Sequence, residues 1–182
     1  FRKFLKPYKT RGSSFREHTE RNGGIYLMAD IKSPEDRSLN MSKIRSKDTK
    51  PEVWFRKRLF NRGYRYRKNT NVLPGHPDLW FSRYNTALFI HGCFWHRHSG
   101  CKFAYTPKSR TEYWISKFQK NTERDSFVMQ QLEQQNVRII VIWECTIKNM
   151  MKTSFYEEEV LSSVVRFLHS DIKYLELYKL RS

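Results

Sequence analysis

No apolar run in these 182 residues approaches the roughly 20 needed to cross a bilayer, so no membrane-spanning helix is expected. The basic N-terminus also lacks a continuous apolar segment and a small-residue cleavage site, so it does not read as a secretory signal and a cytoplasmic protein is expected. Acidic residues are scarce: 18 stand against 35 lysines and arginines, a formal charge of +17. That balance favours polyanionic partners, nucleic acid first and an anionic membrane surface second. Cysteine is scarcer still. Three in a chain with no secretory signal argue against a disulfide framework and leave metal binding, catalysis or burial as their roles.

What is abundant fits the same direction. Aromatic residues make up 15% of the chain, and several alternate with basic ones, as in Tyr64-Arg65-Tyr66-Arg67 and Phe94-Trp95-His96-Arg97. Such mixtures suit stacking on bases and neutralising phosphates, although large aromatics also fill cores. The length allows one hydrophobic core rather than two. Residues 1–27 form a basic, patternless stretch expected to be a disordered extension. Without its seven basic and two acidic residues the remainder keeps 28 basic and 16 acidic, a charge of +12. Residues 28–182 are then the folded domain.

Ser33-Pro34-Glu35-Asp36 predicts a helix running through Met41 and Ile44. Thr49-Lys50-Pro51-Glu52 opens a second, with Val53, Trp54, Leu59 and Phe60 facing inward and Gly63 ending it. Strands are expected at Tyr64–Arg67, Asp78–Phe81 and Ala87–His91, the last two forming a hairpin. Trp114, Phe118, Val128 and Leu132 are spaced for a long helix from Thr111 to about Gln135. Val137 to Trp143 reads as a buried strand, and Tyr156 to Leu168 as a closing helix. The fold class is therefore α/β, a sheet covered by helices.

Two groups of residues carry chemistry. Cys93, His98 and Cys101 lie in Cys-Phe-Trp-His-Arg-His-Ser-Gly-Cys, and Cys145 follows the buried strand. Three thiolates and an imidazole satisfy tetrahedral Zn²⁺ and leave no position for a substrate water, which marks a structural site. Burial of the cysteines as small apolar side chains is the competing reading, and spacing alone admits either His96 or His98 as the fourth ligand. The second group centres on Asp78, at the start of a buried strand in Leu73-Pro74-Gly75-His76-Pro77-Asp78. A carboxylate there needs a partner, and Mg²⁺ is one, with a turn-forming aspartate as the alternative. The hairpin brings His91 towards Asp78, and His96 follows a few residues on. Together these three side chains can handle a metal, a water and a phosphate.

At His91-Gly92-Cys93-Phe94-Trp95-His96-Arg97-His98, with the Asp78 segment upstream and Trp143-Glu144-Cys145 downstream, the chain resembles the very short patch repair (Vsr) endonucleases. The likeness runs from about Met28 to Cys145, with looser similarity in the closing helix. It takes in Asn40-Met41, Lys47-Asp48-Thr49, Thr111-Glu112-Tyr113-Trp114 and Lys120-Asn121-Thr122-Glu123-Arg124-Asp125. The resemblance implies a restriction-endonuclease-like fold with a central mixed sheet, a structural zinc, and Mg²⁺-dependent nicking of double-stranded DNA 5′ to the thymine of a T:G mismatch. By matched position it makes Asp78 the Mg²⁺ ligand and His91 and His96 catalytic. Cys93, His98, Cys101 and Cys145 become zinc ligands, Glu52 an acid near the metal, and Met41, Phe94 and Trp95 the residues that wedge into the base stack. To these we add Asp125 as the carboxylate orienting His96. The resemblance also implies a monomer working in company with mismatch-repair proteins. The chain departs from the family in placing Ser99-Gly100 before Cys101, where one residue is usual, and Ile90 where a threonine is familiar. A restriction-like nuclease with another target, and a zinc-dependent DNA-binding module without activity, are the competing functions.

Overall fold

Thr49 caps the helix that follows it in both directions: its hydroxyl accepts the Glu52 amide and its own amide donates to the Glu52 carboxylate at 3.2 Å. This reciprocal pairing satisfies donors the helix terminus leaves open. The computed structural model describes residues 48–178, together with Ser33 and Leu39; the expected N-terminal extension, the helix through Met41 and Ile44, and Met41 itself lie outside the described residues. Helix α1 spans Lys50–Asn61, and Gly63 (φ 90°) follows its end. Of the expected inward residues Leu59 is fully buried and Trp54 packs against the core, while Phe55, also fully buried, takes the place expected of Phe60. Phe60 is half exposed, stacked by Arg65 and edge-on to Tyr66, because one position beyond Leu59 rotates it about 100° off the core stripe.

The expected strands appear as β1 (Arg67–Lys68), β2 (Leu79–Phe81) and β3 (Thr86–His91), β1 being shorter and later than its sequence suggested. A 3-10 turn at Ser82–Tyr84, closed by Asn85 in the left-handed conformation, joins β2 to β3 as the expected hairpin. Helix α2 (Thr111–Gln134) then crosses over to β4 (Arg138–Trp143), which pairs with β3 in parallel. Two elements were not legible in the sequence. A short helix, α3 (Glu144–Met150), begins directly at the end of β4, and after α4 (Ser154–Leu168) the chain adds an edge strand, β5 (Tyr174–Leu177). The sheet order is β1-β2-β3-β4-β5, antiparallel on one side of β3 and parallel on the other. This is the mixed, helix-flanked α/β sheet expected.

Alternation along the strands divides the core. Leu79, Phe81, Leu88, Ile140 and Ile142 pack on one face with residues of α1, α3 and α4. Trp80, Ala87, Phe89, Ile139, Val141 and Trp143 pack on the other, with Leu132 and Val128 of α2. Asp78 and His91 share the parity of Trp80 and Phe89, so both belong to the α2 side. Gly75 holds the loop before β2 against that helix: a Cβ added there would lie 2.3 Å from Val128 Cγ1 and 3.3 Å from Phe89 Cε1. Its φ of 75° also disfavours any other residue.

Gly75→Ala is expected to destabilise the protein by about 2–4 kcal/mol, combining overpacking with left-handed strain, because the short, stiff valine cannot swing away. The double variant Gly75→Ala/Val128→Ala should recover part of that loss in urea melts. A single variant as stable as the wild type would dissolve the argument that this contact positions the loop.

Candidate active site and metal centre

Strands β3 and β4 end level, His91 beside Trp143. Two residues beyond these partners stand Cys93 and Cys145, so the parallel register alone brings together thiols 52 positions apart. After Gly92 the chain winds tightly, with the His96 amide on the Gly92 carbonyl (3.0 Å) and the His98 amide on that of Cys93 (3.1 Å). Arg97, between the two histidines, takes a left-handed conformation (φ 57°). The result sends neighbouring histidines to different sites: His96 stacks on His91, and His98 reaches the cysteines.

His98 Nδ1 lies 3.6 Å from Cys93 Sγ and 3.4 Å from Cys145 Sγ, and these atoms with that of Cys101 all fall within 4.8 Å of one another. Around a tetrahedral Zn²⁺, with Zn–S near 2.3 Å and Zn–N near 2.05 Å, sulfur and nitrogen ligands sit about 3.6 Å apart. The donor set and spacing therefore fit such an ion. The hydrogen bond between Cys93 and Cys145, with burial added, pushes the Cys93 thiol up, and the same bond holds Cys145 down. Thiols at such close range oppose one another's ionisation, and a dication at this site would stabilise them as thiolates. The His98 ring stacks on Trp143, centroids 4.1 Å apart, and the Trp143 indole N–H donates to Glu176 of β5 at 2.7 Å.

On the α2 side of the same strand ends is a cavity of about 290 Å³ lined by Glu52, His76, Asp78, His91, His96, Arg124 and Asp125, among others. Asp78 Oδ2 accepts the Ile90 amide at 2.7 Å across the hairpin. Burial pushes the Asp78 carboxyl up to about 6, with the nearby Glu52 charge adding to the effect. The Glu52 carboxylate is already engaged by Thr49, so it faces the cavity as part of the helix cap. His91 and His96 lie face to face, centroids 4.0 Å apart and 8° from parallel. Burial, then the charge of His96, pushes His91 down to about 3, so it remains a neutral imidazole at physiological pH. His96 Nδ1 meets Asp125 Oδ2 at 2.5 Å. Burial would raise Asp125, but the hydrogen bond and charge of His96 hold it below the usual carboxylate range.

Thus Asp78, Glu52, His91, His96 and Asp125 converge on one cavity, and Cys93, His98, Cys101 and Cys145 on a second site. Phe94 and Trp95 lie between these groups and the start of α2, packed edge-on to each other (5.0 Å) and against Trp114. Sequence reasoning passed over Asn121, whose amide donates to the Trp95 carbonyl at 3.2 Å, and Arg124 at the cavity. A signal was present for Asn121, since Trp114, Phe118, Asn121, Asp125, Val128 and Leu132 recur at helical spacing along one face of α2. Arg124 falls beside that stripe and carried none.

Because Asp78 holds its proton more tightly folded than unfolded, its burial cost is absent below pH about 4, grows between 4 and 6, and is complete above 6. Asp78→Asn should therefore raise unfolding free energy at pH about 7.5 in Mg²⁺-free buffer by up to about 3 kcal/mol, and change it little at pH about 4. Urea midpoints at the two pH values check this. Equal effects at both would place the charge penalty elsewhere.

The chain's likeness to known proteins is consistent along this region. A sequence model of the DNA mismatch endonuclease Vsr family matches residues 29–102. The type II nicking enzyme V.NmeAIP of Neisseria meningitidis is 50% identical over 122 residues, 67% of this chain and 86% of that protein. V.XorIIP of Xanthomonas oryzae pv. oryzae, also a type II nicking enzyme, is 42% identical over 123 residues, covering 68% and 90%. The Escherichia coli DNA mismatch endonuclease Vsr is 37% identical over 125 residues, covering 69% and 80%. With identity at this level over most of each relative, the chain belongs to the Vsr family of DNA endonucleases.

Proposed function

We propose that this endonuclease nicks double-stranded DNA on the 5′ side of the thymine in a T:G mismatch, using Mg²⁺ at Asp78 and a structural Zn²⁺ on Cys93, His98, Cys101 and Cys145. The observation that carries the reading is the convergence of a buried carboxylate, two stacked histidines and a histidine-bound aspartate on one cavity of a family nuclease. The mixed sheet, with Asp78 entering β2 beside the ends of parallel strands, supports a restriction-endonuclease-like fold. Among described residues no helix is long and apolar enough to cross a membrane, and the +17 charge suits a DNA substrate.

When bound at Asp78, with Glu52 close by, Mg²⁺ supplies charge to a phosphodiester and acidity to a water. The chain's own residues then divide the proton traffic. Asp125 holds His96 through Nδ1, fixing the tautomer whose Nε2 is free to accept a proton from the attacking water. The imidazolium formed is stabilised by the same carboxylate. His91, kept neutral by burial and by its stacked neighbour, donates an N–H to the phosphate or leaving oxygen rather than a full charge. Cleavage gives a 3′ hydroxyl and a 5′ phosphate. Phe94 and Trp95, with Met41, wedge into the base stack, where a mismatched step costs less to open than a paired one. A target other than T:G is the second reading, favoured by relatives that carry the name of type II nicking enzymes.

With Mg²⁺, the protein is expected to cut the thymine strand of a labelled duplex carrying T:G and to leave the fully paired duplex intact; equal cutting of both would select the second reading. Asp78→Ala should abolish nicking while mismatch binding persists, and unchanged cleavage would remove Asp78 from the site.

Purified protein should contain about one zinc per chain and lose cooperative unfolding when a chelator strips it. A metal-free chain that melts cooperatively at the same temperature would defeat the structural zinc.

A further inference from the structure

Between the zinc ligand Cys101 and the start of α2, the chain makes a short excursion whose outermost aromatic, Tyr105, is 63% exposed. Its ring nonetheless packs against Phe94, centroids 5.3 Å apart and tilted by 54°. Phe94 also contacts Trp95, Trp114 and Phe118 within 5.5 Å, so these rings form one connected aromatic surface with Tyr105 at its margin.

Its position is closely held. The Arg97 guanidinium donates to the Tyr105 carbonyl at 3.0 Å and to Thr106 Oγ1 at 3.2 Å, and it stacks 4.3 Å from the centre of the buried Phe118 ring. From the other side, the Ala104 amide donates to the Cys101 carbonyl at 3.0 Å. A planar fork fixed on an aromatic face, with two acceptors in one short segment, is a rigid latch. Arg97 therefore commits two of its donors within the protein, although it belongs to a strongly basic chain.

We propose that Tyr105 is a base-stacking residue that extends the Phe94–Trp95 wedge onto a nucleobase next to the unstacked step, and that Arg97 is the positioning residue that holds it there. The ligand is a purine or pyrimidine face of opened double-stranded DNA, and the proposal rests on the wedge described under the proposed function. A phenol on two rotatable bonds, preset by a latch, offers stacking area at little entropic cost.

The test measures binding to mismatched and fully paired duplexes by anisotropy without added Mg²⁺, together with the fluorescence of a 2-aminopurine placed beside the mismatch. Tyr105→Ala should weaken mismatch binding by about 5- to 100-fold, the loss expected for one base–aromatic stack, lower the fluorescence change, and leave paired-duplex binding unaltered. Tyr105→Phe should behave as wild type, and Tyr105→Leu, which keeps apolar bulk against Phe94, should resemble Tyr105→Ala. Wild-type discrimination in Tyr105→Leu would overturn the stacking role. Arg97→Ala should reproduce the loss with its zinc content intact and with an unchanged slope of affinity against salt. A slope smaller by about one would make Arg97 a phosphate contact and overturn the latch. Trp95→Ala separates the two levels: a loss there without one in Tyr105→Ala rejects this inference alone, and no loss in either rejects the wedge as well.

Discussion

From Thr86 beside Arg138 to His91 beside Trp143, strands β3 and β4 pair in parallel over their full lengths and stop at the same level. Both groups of candidate site residues depend on that shared endpoint. A slip of one residue would turn every side chain of β4 to the opposite face, remove Trp143 from beneath His98 and separate Cys145 from Cys93. The strands buried on both faces specify the register strongly, since Ile139, Ile140, Val141 and Ile142 are all at or below 5% exposure and have distinct neighbours above and below the sheet. Stability and site geometry are therefore one constraint.

Helix α2 is the crossover that this parallel pairing requires, and its inner face carries site-lining and core residues in order. Trp114 and Phe118 support the aromatic surface, Asn121 holds the backbone of Trp95, Asp125 holds His96, and Val128 and Leu132 anchor the helix in the core. Eleven residues separate Trp114 from Asp125, about 16 Å at 1.5 Å per residue. A single rigid element thus sets the distance between the rings proposed to open the DNA and the histidine proposed to take the proton. Contact of the Gly75 loop with Val128 ties Asp78 to the same ruler.

Charge is distributed with similar economy. The chain has few acids, yet three of them, Glu52, Asp78 and Asp125, border one small cavity. Burial raises Asp78, while the hydrogen bond and charge of His96 lower Asp125, so two carboxylates on one cavity are shifted in opposite directions. Burial and the stacked ring of His96 hold His91 neutral, while His96 itself is hydrogen-bonded to Asp125.

By itself the sequence determined the element types, because period and end signals are local: the Thr49 cap, the 3.6-residue spacing from Trp114 to Leu132, the unbroken apolar run from Ile139 to Trp143. Its motifs also marked Asp78, the two histidines and the four Cys/His positions as chemical groups. Spacing alone left open how the histidines are divided, and only the tertiary structure supplies the physical reason. Which histidine joins which site follows from a left-handed Arg97, Phe55 rather than Phe60 fills the core by its helical phase, and β5 exists because β4 offers an edge to pair with. Arg97, Tyr105 and Glu176 had no legible role in the sequence, since each acts through a contact with a residue remote along the chain or across a turn, and such contacts are selected by packing rather than by local propensity.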